Sequence, residues 1–189
     1  ANAGCAAVMI EDQLAPKRCG HTPGKAVGGR EEAFDRIGAA VDARNEGQDI
    51  LILARTDARY QHGLSEAIDR AAKFAELGAD ILFVEAPRSE AEMREVCNNL
   101  PGYKMANIVE GGDTPDLPNA VLHDIGYSIA AYPLTLMAAA MQAMVTTLRG
   151  MRGDTRPDLM DFGELRERIG FDTYYEDSQR YASSRRSGT

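Results

Sequence analysis

Ile50-Leu51-Ile52-Leu53-Ala54-Arg55-Thr56-Asp57 is a short apolar run that ends in charge. Continuous apolar residues suit a strand buried on both faces, as in a parallel sheet. Val8–Glu11, Ile81–Ala86, Lys104–Val109 and Ser128–Tyr132 repeat the pattern, each short, polar-ended and bounded by turn residues. Helical patterns lie between them. Glu31–Asn45 carries Phe34, Ile37 and Val41 at helical spacing and stops at Gly47, and Leu64–Leu77 ends at Gly78. Ser89 with Glu92 three residues on predicts a capping box that starts Glu90–Asn98. Pro118–Ile125 ends at Gly126, and Leu134–Arg149 is long and rich in Met and Ala. This alternation predicts βαβ units around a parallel sheet.

An open doubly wound sheet and a closed barrel both satisfy that order. Polar residues follow every strand (Glu11, Arg55 and Asp57, Glu85, Asn107 and Glu110), which singles out no switch-point crevice, and no Gly-x-Gly-x-x-Gly follows a strand. Both points favour a (β/α)₈ TIM-type barrel. Such a barrel needs eight units, so the chain reads as roughly the last five βα units plus C-terminal helices. It opens without methionine, in what reads as a helix end running into a strand, and this predicts further residues before Ala1. Residues 1–150 are read as the C-terminal part of the barrel. Residues 151–182 are read as C-terminal helices, over Arg156–Ile169 and Phe171–Tyr181, and residues 183–189 as a disordered tail.

The net charge of −8 argues against a nucleic-acid binder. The longest apolar stretch, Ile129–Val145, is interrupted by Tyr132-Pro133, Thr135 and Gln142, so no membrane span is expected. Three widely spaced cysteines do not make a disulfide framework, which points to a reducing cytoplasm. Cys5 and Cys97 look structural, as do His62 and His123.

Cys19 is different. It sits in Lys17-Arg18-Cys19-Gly20-His21, inside a stretch with two prolines and two glycines, which reads as a surface loop. Lys17, Arg18 and His21 would favour a thiolate there. Proton donor, nucleophile and redox thiol all fit, and a free surface cysteine is the competing reading. Of Glu11 and Asp12, strand alternation lets only one face a barrel mouth, while Arg55 and Asp57 share a side. Glu11 or Glu85 could hold a divalent cation, and Arg55 could take a carboxylate bidentately. A charged strand end paired with Arg55 is the alternative. Gly111-Gly112, after Asn107 and Glu110, could cradle an anion or simply turn.

Ile10-Glu11-Asp12-Gln13, the Lys17–His21 loop, Ala54-Arg55-Thr56-Asp57, Val84-Glu85-Ala86, Asn107–Gly112 and Tyr132-Pro133-Leu134 together resemble the isocitrate lyase/phosphoenolpyruvate mutase superfamily. The Lys-Arg-Cys-Gly-His loop resembles its methylisocitrate, 2-alkylmalate and oxaloacetate C–C lyases. The superfamily's phosphonate mutases lack that loop. The resemblance implies a magnesium-dependent lyase (manganese being the other metal) that cleaves a small 2-hydroxy or 2-oxo dicarboxylate. Cys19 would be the proton donor, with His21, Lys17 and Arg55 beside it in catalysis. Arg55, Gly20, His21, Glu85 and Asn107 would bind substrate. Glu11 would sit in the magnesium shell largely through water, since the family's principal acidic ligands match nothing in these residues.

The resemblance also implies a homotetramer with swapped C-terminal helices, which would occupy the aromatic stripe Phe171, Tyr174, Tyr175 and Tyr181. Glu85-Ala86-Pro87-Arg88 leans the substrate toward 2-alkylmalates or oxaloacetate and away from methylisocitrate. Two alternatives stand beside this reading: a carboxyphosphonoenolpyruvate or phosphoenolpyruvate mutase-type enzyme, and a non-catalytic truncated paralogue.

Overall fold

A computed structural model describes residues 1–153, 155 and 157–182; the tail expected over 183–189 lies outside the described residues. The chain divides into two compact units between Ala138 and Ala139.

The first unit is built on five parallel strands: β1 (Ala7–Glu11), β2 (Leu51–Thr56), β3 (Ile81–Val84), β4 (Tyr103–Asn107) and β5 (Ile129–Ala131). They lie side by side in chain order, β1-β2-β3-β4-β5, without a reversal. A doubly wound sheet would reverse at its switch point, whereas successive neighbours are what consecutive βα units of a barrel give. The expected barrel architecture is therefore the one found, as a five-stranded part of it. Helices α1 (Arg30–Asn45), α3 (Leu64–Leu77), α4 (Glu90–Asn99) and α5 (Asn119–Ile125) make the crossovers. The sequence pattern misses a short helix, α2 (Ala58–His62), which opens directly behind Asp57. Ala1–Ala6 forms turns where a helix end was expected.

Alternation along each strand separates two cores. Ile52, Ala54, Leu82 and Val84 point to the helices, where they meet Ile37, Val41 and the fully buried Phe74. Leu53, Ile81 and Phe83 point the other way, with Met105 packed on them. Register stacks that second face in layers. Glu11 pairs with Arg55 and Arg55 with Phe83, while Met105 pairs with Ile129 and Asn107 with Ala131. The layer nearest the C-terminal strand ends is the one that turns polar.

Ser89 caps α4, its Oγ accepting from the Glu92 N–H at 3.2 Å. The reciprocal half of the expected capping box is absent. The Glu92 carboxylate instead accepts from the Arg88 N–H, one residue before the cap, at 2.8 Å and from Arg59 Nε at 3.0 Å. Cys97 is buried among Leu122, Ile125 and Tyr127 as expected of a structural residue, whereas Cys5 is exposed.

Beneath the site lies a buried ion pair. Arg70 Nη1 is 3.1 Å from Asp12 Oδ2, which also accepts from Thr56 Oγ1 at 2.6 Å, and Asp12 Oδ1 accepts from the Asp57 N–H at 2.9 Å. Burial pushes the Asp12 carboxyl up from its ordinary range against the pull of Thr56, the Asp57 amide and Arg70. This is the strand-end carboxylate that faces away from the cavity.

In the second unit, α7 (Phe162–Arg168) and α8 (Phe171–Arg180) are both shorter than their sequence patterns. Asp161 caps α7, accepting from Gly163 N–H at 2.7 Å and Glu164 N–H at 3.0 Å, so the helix starts there and not near residue 156. α6 (Thr135–Arg152) carries the chain across the division. Phe171, Tyr174 and Tyr175 touch edge to face and Arg166 lies over two of the rings, yet all three rings remain exposed or nearly so. No helix among the described residues is long and apolar enough to cross a membrane.

Arg70→Met leaves a buried carboxylate without its cation and is expected to cost ~3–5 kcal/mol of folding stability. Pairing it with Asp12→Asn should recover part of that loss. Urea unfolding of the three variants measures both effects, and equal stability of Arg70→Met and the unmodified protein would contradict the assignment.

Candidate active site

A cavity of about 500 Å³ opens at the C-terminal ends of the strands. From the loop, Lys17, Cys19, Gly20 and His21 line it; from the sheet come Glu11, Arg55, Glu85 and Asn107. The eight residues singled out in the sequence thus meet around one space, although they span β1 to β4.

Strand alternation explains the sheet half. Glu11 and Arg55 are register partners, and Arg55 lies over the Phe83 ring at 5.1 Å. Arg55 donates side-on to Asp57, from Nε at 2.7 Å and Nη2 at 3.0 Å. Its Nε also lies 3.4 Å from Glu11 Oε2, and its Nη1 is 3.8 Å from Glu85 Oε2. One bidentate edge of the guanidinium is therefore committed to Asp57, and the end-on edge remains for a second carboxylate. Burial alone would lower the Arg55 pKa. The Asp57 hydrogen bonds and the charges of Glu85, Asp57 and Glu11 outweigh it and hold that pKa above its ordinary value.

The loop half is braced internally. An isolated bridge between Gln13 and Val27 closes its neck, with the Leu14 N–H donating to the Ala26 carbonyl at 2.8 Å. The Gln13 side chain exchanges two bonds with the Arg18 backbone, both 3.0 Å. Lys17 reaches back to Glu11 Oε1 at 2.7 Å, and the Thr22 N–H and hydroxyl both donate to the Cys19 carbonyl. Cys19 itself is exposed at the cavity edge. Lys17 is committed to Glu11, the Arg18 guanidinium to the Pro23 carbonyl and His21 to Glu85, so both cationic neighbours of the thiol and the histidine have other partners.

Glu85 is where the halves join. Its side chain is fully buried; Oε1 receives His21 Nε2 at 3.0 Å and Asn107 Nδ2 at 3.3 Å, while Oε2 is buried with no hydrogen-bond partner. His21 Nδ1 accepts from the Asp113 N–H at 3.1 Å, so the proton of the ring sits on Nε2 and points at Glu85. Gly112 makes room for that ring: a Cβ there would lie 2.7 Å from His21 Nδ1. The paired glycines thus serve the histidine here, one of the two roles open to them in the sequence. Ala86, directly after Glu85, is held at φ 57°, a left-handed conformation that costs a non-glycine residue about 1–2 kcal/mol.

Gly20 presses on Glu85 itself. A Cβ at Gly20 would overlap Glu85 Oε1 and stand 2.5 Å from both Cδ and Cγ. Asp57, which the sequence sets on the same side as Arg55, is the residue that holds the guanidinium, and Lys25 is a site residue that the sequence pattern does not pick out. Lys25 was one more cation in a cationic loop, and only its burial distinguishes it.

The chain's residues 1–152 match the family model described as phosphoenolpyruvate phosphomutase. The chain belongs to the isocitrate lyase/phosphoenolpyruvate mutase superfamily. It is 42% identical over 188 residues to the 2,3-dimethylmalate lyase of Eubacterium barkeri, a match that covers 97% of this chain and 65% of that protein. Among solved structures it resembles oxaloacetate acetylhydrolase in complex with the inhibitor 3,3-difluorooxalacetate, with a TM-score of 0.86 and 31% identity over 97% of this chain and 63% of that one. It also resembles the trigonal form of a 2,3-dimethylmalate lyase of the superfamily, with a TM-score of 0.84 and 34% identity over 100% of this chain and 64% of that one. The chain therefore spans just under two thirds of the length of these members.

Gly20→Ala should lift the loop off Glu85. Hydrogen exchange across residues 17–22 is expected to speed up about tenfold, the equivalent of ~1.4 kcal/mol. Unchanged exchange in a folded variant would mean that the loop is not seated on Glu85.

Proposed function

We propose that this chain carries the loop and strand-end half of a C–C lyase site for a small 2-hydroxy or 2-oxo dicarboxylate, with Cys19 as the proton donor. The observation that supports this most is the seating of the Cys19–His21 loop on Glu85, which sets the thiol at the rim of the cavity that Arg55 faces.

Cleavage of a 2-hydroxy acid, or of the hydrate that a 2-oxo acid forms by taking up one water, passes a hydroxyl proton to a carboxylate of the cavity wall, turns the hydroxyl carbon into a carbonyl or carboxyl carbon and leaves the bond's electron pair on the neighbouring carbon. That carbanion needs an acid, and the Cys19 S–H supplies the proton; the thiolate regains one from solvent once the loop opens. The free edge of Arg55 takes a substrate carboxylate or the developing oxyanion. Asn107 and His21 both donate toward Glu85 and so hold the cavity wall in place, while the loop keeps water out of the space between.

Charge bears on the expected metal. Glu11, Asp57 and Glu85 bring three negative charges, and Lys17, Lys25 and Arg55 bring three positive ones. Arg18, which also lines the cavity, adds a fourth positive charge, and among the described residues no three His, Cys, Asp or Glu side chains group as a metal site. These residues alone do not fit the magnesium or manganese that the resemblance implies. A dianionic substrate exceeds the one surplus positive charge of the cluster, which is the physical motive for a divalent cation held mainly by other ligands. A homotetramer and a cytoplasmic setting belong to the same reading.

The family model's own description favours a second reading, phosphonate chemistry on the same scaffold. A thiol on the loop has no task in that reaction.

Keto-acid or oxalate release from 2,3-dimethylmalate, oxaloacetate and methylisocitrate, followed in the purified protein, separates the two. Cys19→Ser is expected to lower kcat by about 10²–10⁴ with a much smaller change in KM. Full activity in that variant would remove Cys19 as the acid, and turnover of a phosphonate without lyase activity would favour the second reading.

A further inference from the structure

The buried lysine of the loop is part of neither the sequence reading nor the proton transfer. Lys25 has a side chain only 1% exposed, and its ammonium lies 3.6 Å from Asp57 Oδ1. It donates to the Gly20 carbonyl and stands over the Tyr60 ring at 4.8 Å from the centroid. A buried ammonium is costly unless it is met on all sides, and here a carbonyl accepts a hydrogen bond while a carboxylate at ion-pair distance and a ring face compensate the charge.

Each of those partners leads to a different part of the site. Gly20 is the residue pressed on Glu85. Asp57 is fully buried and spends both its oxygens on Arg55. Tyr60, on α2, accepts from the Gly24 N–H at 3.4 Å, and Gln61 on the same helix accepts from the Val27 N–H at 3.0 Å, so the backbone around Lys25 is pinned to the scaffold. From that fixed base the side chain reaches across the loop to its opposite limb.

We propose that Lys25 is the positioning residue that sets the seat of the Cys19–His21 loop and the aim of Arg55 together, through one ammonium shared by Gly20 and Asp57. With the ammonium present, the loop's buried carbonyl has its donor only when Gly20 is down on Glu85, and Asp57 is held against Lys25 while it holds Arg55. Lifting the loop leaves the Lys25–Asp57 pair short of one partner. Closure of the loop and alignment of the arginine are thus one event. Lys25 touches neither substrate nor reacting atoms; it acts through Gly20 and Asp57.

The test is Lys25→Met, which keeps length and apolar bulk and removes the charge and donors. Hydrogen exchange over residues 17–22 and trypsin cleavage after Lys17 and Arg18 are each expected to rise about tenfold. The kinetic arm rests on the lyase reading: kcat should fall about a hundredfold while KM stays within about threefold, as for a misplaced acid. Val41→Ala, in the helix-side core, controls for general loosening and should lower the melting temperature without the loop effects. If Lys25→Met yields no folded protein, Lys25→Gln, a neutral donor, is read by the same two loop measures. Loop exchange and cleavage at the unmodified rates in a folded variant would overturn the proposal. Absence of lyase activity in the unmodified protein would remove the lyase reading alone, and the loop measures would still decide the role of Lys25.

Discussion

A carboxylate with no exposed surface needs partners, and Glu85 draws them from three separate pieces of chain. His21 comes from the loop after β1, Asn107 from β4 and Arg55 from β2. Removing an ion from water is costly unless its lone pairs are met; His21 and Asn107 meet Oε1 while Oε2 has only Arg55 at ion-pair distance, so the loop is held down by an interaction that Glu85 needs where it stands. Gly20 permits this by having no side chain to intrude. One residue without a Cβ and one buried acid therefore place an exposed cysteine at the mouth of the cavity.

The sheet makes that meeting possible. With strands in chain order and every connection returning to the same side, the residues at successive strand ends become neighbours on one rim. Glu11, Arg55 and Phe83 share a layer, and Glu85 and Asn107 lie one step further out. The resulting cluster of three carboxylates and four cations, Arg18 among them, has one surplus positive charge. A dianion that enters exceeds it, which ties substrate binding to whatever cation accompanies it.

Much of this was legible in the sequence, for different reasons at different residues. Continuous apolar runs with polar ends reveal parallel strands directly, and α3 begins and ends at the residues its pattern and its glycine specify. Alternation alone places Arg55 beside Asp57 and sets Glu11 apart from Asp12. The tasks of the glycines were not legible, since Gly20 is required by Glu85 and Gly112 by His21, each far away along the chain. Lys25 carries no local signal either, because burial of a lysine is decided by tertiary packing. The start of α7 shifted where a capping aspartate outweighed the broader polar pattern.

The most direct test of this picture is the protonation of one ring. The chain has three histidines, so ¹⁵N-labelled histidine resolves them individually. If the loop is seated as described, the neutral His21 ring carries its proton on Nε2 and leaves Nδ1 bare, while the ring spectra of His62 and His123 report their own separate surroundings. A His21 ring with its proton on Nδ1, or one exchanging freely between both nitrogens, would mean that the loop does not rest on Glu85.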